Sequence, residues 1–279
     1  MDMERQKAKA NAFRAMHRGG SILRLPNAWD VASARVFEEA GFGAIATTSA
    51  GIAFTQGYPD GQRISRQEML AVVRRIAGAV KVPVTADVEA GYGERAEDAV
   101  QTARDVAGAG AVGMNLEDAT GDRQRPLLDL TLQVERVKAV RETLGELMIL
   151  NARTDVYLLQ LEVPEKRYDA ALRRLAAYRD AGADCVFVPG LGDAETIGRM
   201  VKDLQCPVNI LGGPGSLPVP ELERIGVARV SVGSGAMRAT LGLVRRMADA
   251  LKRSGSYETL EGAISYADVN RMMESGMKT

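Results

Sequence analysis

The chain has 279 residues, which suits one large α/β domain or two small ones and is long enough to bury roughly 75% of its unfolded surface. Lys+Arg and Asp+Glu balance at 36 each and aromatics reach only 5%, so no net field favours nucleic acid or a membrane surface and no stacking platform for bases is indicated. Two cysteines, Cys185 and Cys206, make no disulfide framework and point to a reducing cytoplasm.

The first stretch, MDMERQKAKANAFRAMHRGG, mixes charge throughout and lacks the apolar core of a signal peptide. No run approaches the ~18 consecutive apolar residues that a membrane span needs. The expectation is a soluble, cytoplasmic protein that binds neither nucleic acid nor membrane.

Strand-like runs follow in order: ILRLP, AIATTS, VPVTADVE, VGMNLED, LMILNART, CVFVP, CPVNILG and ARVSVG. Most are nearly all apolar, as in a parallel sheet covered on both faces. Helical patterns separate them. SRQE, Ser65 to Glu68, is a capping box, and the segment from Pro164 opens with proline near its first turn. Gly41, Gly110, Gly182 and Gly226 each stand where a helix needs a left-handed cap before the next strand. Eight strands alternating with helices over ~250 residues describe a (β/α)8 TIM-type barrel. The rival, a doubly wound open sheet, lacks a G-x-G-x-x-G after the first strand. The expected layout is a single barrel domain over residues 1–279, with the barrel at about 21–245 and a C-terminal helical extension at 246–279.

A barrel of this kind places its active site at the C-terminal strand ends. Strand two ends in TTSAG, with Thr48 and Ser49, and the following connection carries Asp60. Strand three ends in Asp87 and Glu89, strand four in Glu117 and Asp118, strand five in Arg153 with Asp155 beside it, and strand seven offers Asn209. Residues two apart on a strand face one way, so Asp87 and Glu89 are expected to converge with Glu117. Clustered carboxylates cannot all stay ionised without a cation. His17 is the one histidine, so the shell would be all oxygen, as Mg2+ or Mn2+ prefers. A lone strand-end acid also serves as a helix cap or an arginine partner; the coincidence of Asp60, Asp87, Glu89 and Glu117 singles out this set. Arg153 suits a substrate carboxylate through bidentate bonds, or equally a salt bridge to Glu117 or Asp155. TTSAG lets backbone amides approach an anion, or is simply a tight strand-to-helix turn. SVGSG, from Ser231, resembles a phosphate cradle, though small residues there also serve close helix packing.

LPNAWDVASARVFEEAGFGAI, GYPDGQRIS, TADVEAGYG, NLEDATG and NARTDVY together resemble the isocitrate lyase/phosphoenolpyruvate mutase superfamily, from about Leu23 to Arg246. The resemblance implies Mg2+ near Asp87, with Asp60, Glu89 and Glu117 reaching it directly or through water. It implies that Thr48, Ser49 and Arg153 hold the carboxylate of a 2-oxo acid. It also implies a last helix packed on a partner subunit, giving a homo-oligomer, dimer or tetramer. Departures are as informative. The lyases' Lys-Lys/Arg-Cys-Gly-His loop is here the shorter EDATGDRQRPLLD, without Cys or His, and Cys185 and Cys206 read as core. The mutases' Lys-Thr-Asn loop and their His after strand six are missing too, since that strand ends FVPG, with Gly190 where lyases have a glutamate.

The expected activity is a Mg2+-dependent carbon–carbon lyase acting on a small 2-oxo acid through a metal-stabilised enolate, as in oxaloacetate decarboxylation. The proton would come from water or Tyr92, and Arg123 or Arg125 would meet a distal anion. Alternatives are a carboxyphosphonoenolpyruvate or phosphoenolpyruvate phosphonomutase, a phosphonopyruvate hydrolase, and a non-catalytic 2-oxo-acid binder.

Overall fold

Each apolar run between helix-period segments forms a strand. A computed structural model describes residues 3–274 of the chain. Among them the strands are β1 (Leu23–Leu25), β2 (Asn27–Ala28), β3 (Ile45–Thr47), β4 (Val84–Asp87), β5 (Gly113–Glu117), β6 (Ile149–Arg153), β7 (Cys185–Phe187), β8 (Val208–Leu211) and β9 (Arg229–Ser231). All pair in parallel, in the order β1-β9-β8-β7-β6-β5-β4-β3-β2. The expected first strand, ILRLP, forms β1 only, and beyond Pro26 the chain extends again as β2. Strand β1 pairs with β9 and β2 with β3, so the barrel closes through that break. Pro26 has no N–H to donate, but its carbonyl accepts from Ala46 N at 2.9 Å.

The helices are α1 (Met3–Met16), α2 (Val31–Glu39), α3 (Ser49–Thr55), α4 (Arg66–Ala79), α5 (Ala96–Gly108), α6 (Leu130–Leu144), α7 (Pro164–Asp180), α8 (Ala194–Leu204), α9 (Val219–Arg224), α10 (Gly235–Ser254) and α11 (Tyr266–Glu274). The capping box at Ser65 and Glu68 forms as expected. The four cap glycines take φ of 86°, 91°, 103° and 89°, a region where a side chain would be strained. Helix α10 runs unbroken through the expected boundary at 245/246 and ends at Gly255. Helix α11 lies beside α2. No helix among the described residues is long and apolar enough to cross a membrane.

Helix α1 shuts the N-terminal end of the barrel. Phe13 and Ala10 are fully buried and pack in one cluster with Leu23, Leu25, Ala44, Ala46, Val112 and Ile149, residues in or just before β1, β3, β5 and β6. Gly113 makes room: a Cβ there would sit 2.9 Å from Phe13 Cε1. His17 follows Phe13, its Nδ1 2.9 Å from the Phe13 carbonyl and its ring edge-on to the phenyl. That contact makes Nδ1 the donor and leaves Nε2 buried without a partner.

At the opposite end Asp118, fully buried, ties three elements together. It accepts from Thr154 Oγ1 (2.7 Å), Asp155 N (3.0 Å), Tyr178 Oη (2.7 Å) and Arg174 Nη1 (3.2 Å). The end of β5 is thus fastened to the segment after β6 and to α7. Asp118→Ala would strand all four donors, so a loss of about 3–5 kcal/mol is expected in a urea denaturation midpoint analysis.

Burial and the nearby Arg229 hold His17 down to about 4. Its depressed pKa favours the fold above ~6.5, the unfolded value, and that contribution is lost as pH falls toward 4. Between pH 7 and 4 the chain should therefore lose on the order of 3 kcal/mol more stability than a His17→Leu variant does. Parallel denaturation curves at the two pH values measure the difference.

Candidate active site

The C-terminal strand ends gather polar side chains in layers. Asp87 closes β4 and is held from two sides. Ser49 donates to its Oδ2 through both N (3.0 Å) and Oγ (2.8 Å), and Asn115 Nδ2 lies 3.4 Å from Oδ1. Asn115 sits two residues before Glu117 on β5. Its own Oδ1 accepts from Asn151 Nδ2 (2.7 Å) and Arg229 Nη2 (3.4 Å), which fixes the amide so that its NH2 faces Asp87. Below this layer Arg229 is fully buried.

Glu89 reaches the mouth by another route than expected. The strand stops at Asp87, and Glu89 lies in a turn with φ 53°, so the two acids do not share a strand face. The turn, closed by Gly91 N to the Val88 carbonyl (2.9 Å), aims the carboxylate instead of the pleat. Glu89 Oε2 accepts from Gln62 N, and Tyr92 N donates to Gln62 Oε1 at 2.7 Å, pinning the loop that carries Asp60. Glu89 Oε1 is buried without a partner, as is the Tyr92 hydroxyl. Burial, Asp60 and Asp87 push Glu89 up to about 7. Burial also raises Asp60, with Asp87 adding to it, although the outer side of Asp60 is open to solvent. Burial and Glu89 keep the Tyr92 hydroxyl protonated.

Arg153 closes β6. Its Nε and Nη2 bond Asp155 at 2.6 and 2.8 Å, its Nη1 lies 2.7 Å from Glu117 Oε2, and its guanidinium stands 5.6 Å from the Phe187 ring centre. Burial drives Glu117 well above the ordinary carboxylate range, against the pull of Arg153. Both salt-bridge alternatives read from the spacing are present together.

Ser49, Asp60, Glu89, Glu117, Arg153 and Asp155 line one cavity of about 260 Å³, and Arg153 is the single cation on its wall among the described residues. A larger hollow of about 550 Å³ near Met16, Phe42 and Glu223 gathers no convergent polar chemistry. Four expected residues are off the wall of the smaller cavity: Asp87, held as described above, and Thr48, Asn209 and Tyr92. Thr48 Oγ1 caps α3 by accepting from Gly51 N at 3.3 Å, in a turn so tight that a Cβ on Gly51 would lie 2.5 Å from Thr48 Cγ2. Asn209, fully buried, pairs with Ser231 Oγ at 3.2 Å and does not line the cavity. Tyr92 is not on its wall either. In SVGSG the amides of Val232 and Gly233 both donate to Asn27 Oδ1 at 2.9 Å, so they are engaged by a side chain and not open to a phosphate. Asn27, Gln62, Asn115 and Asn151 were missed. The only signal for Asn115 was its period-2 spacing from Glu117.

Among the described residues no three His, Cys, Asp or Glu side chains stand disposed to hold a metal ion, since Asp87, Glu89 and Glu117 each face a partner already named. Their chemistry nevertheless fits a hard divalent cation. The donors are all oxygens, one of them, Glu89 Oε1, is buried with nothing to bond, and burial together with the neighbouring carboxylates raises Glu89 and Glu117.

The phosphoenolpyruvate phosphomutase family profile matches residues 13–252. An uncharacterized protein of Mycobacterium tuberculosis is 35% identical over 92% of this chain and 94% of its own length. The 2-methylisocitrate lyase of Bacillus subtilis is 27% identical over 98% of this chain and 95% of its own. An oxaloacetate decarboxylase of Rhodopseudomonas palustris is 28% identical over 74% and 71%. A crystal structure described as a lyase/mutase from Burkholderia cenocepacia superposes with a TM-score of 0.90 at 39% identity, covering 96% of each chain. Strand-end acids on a closed parallel barrel, matched over nearly the whole chain by lyases, identify this protein as a member of the phosphoenolpyruvate phosphomutase family and an enzyme of the isocitrate lyase/phosphoenolpyruvate mutase superfamily.

Proposed function

We propose that the protein is a Mg2+-dependent lyase that breaks the bond between C3 and its outer substituent in a small 2-oxo acid, as oxaloacetate decarboxylation breaks C3–C4 to leave the pyruvate enolate. The observation that carries this reading is the mouth cavity, where Asp60, Glu89, Glu117 and Asp155 face a single arginine. Asp87, Glu89 and Glu117, with Asp60 directly or through water, would hold Mg2+, which would supply Lewis-acid polarisation of the 2-oxo group.

The chain's own residues do the rest. Asp155 and Glu117 fix the Arg153 guanidinium, whose terminal N–H groups outside the Asp155 pair grip the substrate carboxylate. Ser49 and Asn115 hold Asp87 in one orientation. Loss of CO2 needs no acid on the departing group, which fits a loop over 119–129 with neither Cys nor His. The carbon left behind must take a proton, and water entering the cavity supplies it, since the Tyr92 hydroxyl is buried off the cavity wall. Carbon–phosphorus chemistry is the second reading, favoured by the description of the matching family; phosphorus NMR on phosphonopyruvate would detect it.

The same reading includes a homo-oligomer. Leu241, Val244 and Leu251 on α10 and Tyr266 on α11 expose 46%, 53%, 56% and 87% of their surface, an apolar face suited to a C-terminal helix shared between subunits in a dimer or tetramer. Cytoplasmic placement is part of it too: Cys185 and Cys206 are both free thiols, as a reducing compartment leaves them.

Purified protein with Mg2+ should convert oxaloacetate to pyruvate, followed by coupled reduction of the pyruvate. A chelator should abolish turnover and added Mg2+ restore it. Absence of turnover of oxaloacetate and of phosphonopyruvate would sink the reading. Arg153→Lys keeps the charge but loses the planar fork, so kcat/KM should fall about a hundredfold, roughly 2.7 kcal/mol of transition-state binding.

A further inference from the structure

Part of the mouth is apolar without any core to explain it. Leu158 and Leu159, on the segment after β6, stay 44% and 43% exposed on the wall of the cavity that holds Arg153 and Glu117. Beyond them a second hollow of about 300 Å³ opens, bounded by Ala119, Pro126, Leu159 and Leu161, with Asp122 and Arg123 also on it. Ala119, Gly121 and Leu159 border both spaces, which therefore form one cleft.

Both walls of the cleft are built and held. Arg167 donates to three successive carbonyls, Leu161 at 3.0 Å from Nε and Gln160 and Glu162 at 3.3 and 3.1 Å from Nη2. Leu159 N bonds the Asp155 carbonyl at 2.9 Å. Gly190, with φ 87°, lets this segment lie against the end of β7, because a Cβ there would come within 2.9 Å of Leu158 N. Across the cleft Thr120 N donates to the Pro126 carbonyl at 3.1 Å, and Ala119 bridges to Leu127. Leucines fixed in this way beside a carboxylate clamp form a preorganised apolar subsite.

Resting on the reading above, we propose that the substrate carries an alkyl substituent on the carbon next to its 2-oxo group and that Leu159, flanked by Leu158 and Leu161, selects for it. A two-carbon or three-carbon acid fills only the acidic end of the cleft. A branched or lengthened one also covers the leucines and removes their surface from water.

Calorimetric titration of the full chain in Mg2+ tests this with oxalate, pyruvate, 2-oxobutanoate and 3-methyl-2-oxobutanoate. From pyruvate onward, affinity should rise about fourfold for each added carbon. Leu159→Asn, at a position 43% exposed and outside the core, should flatten that rise to less than about twofold over the series. A flat series in the parent chain, with oxalate and pyruvate still binding, overturns the alkyl subsite and leaves the 2-oxo-acid reading standing. An intact gradient in Leu159→Asn overturns the role given to Leu159. If neither oxalate nor pyruvate binds, the functional reading falls and this inference with it.

Discussion

Carboxylates outnumber cations at the barrel mouth, and the rest of the site follows from that imbalance. Like charges at close quarters in a half-dry cavity are expensive, so each acid is either partnered or pushed toward its neutral form. Asp155 and Glu117 share Arg153, Asp87 takes three hydrogen-bond donors, and Glu89 keeps one oxygen without any. A divalent ion would resolve the same conflict by another route, and that is the physical basis of the proposed metal-assisted reaction.

The layer beneath the mouth is polar where barrels of this kind are usually filled with branched aliphatic residues. Asn115, Asn151 and Arg229 form a hydrogen-bonded column, and burial lowers the pKa of Arg229. Such a column settles which way Asn115 turns, and through it how Asp87 is presented. The cost of burying Arg229 is thus tied to the geometry of the acidic layer above it.

The barrel was legible because its signals are local: apolar runs, cap glycines and a capping box recur in one rhythm. The acids were legible too, because strand ends can be read from composition. What escaped depends on backbone turns and on partners far along the chain. Glu89 leaves its strand by a left-handed turn that period-2 reasoning cannot foresee. Asn27 takes amides 205 residues away, so nothing near SVGSG revealed that its cradle was already filled. The plug formed by Phe13 was hidden in a charged helix, where one aromatic among polar residues carries little signal.

The break at Pro26 between β1 and β2 also bears on how the chain reaches its native form. These two strands hold the ring shut, and one of them waits for a partner near the end of the chain. Until Arg229 has left the ribosome the sheet is an open, curled ribbon with two bare margins, each offering unpaired amides and carbonyls to any passing strand. Completion is therefore a late, long-range event of the slow kind, and the interval before it is when a newborn chain most needs shielding from its neighbours.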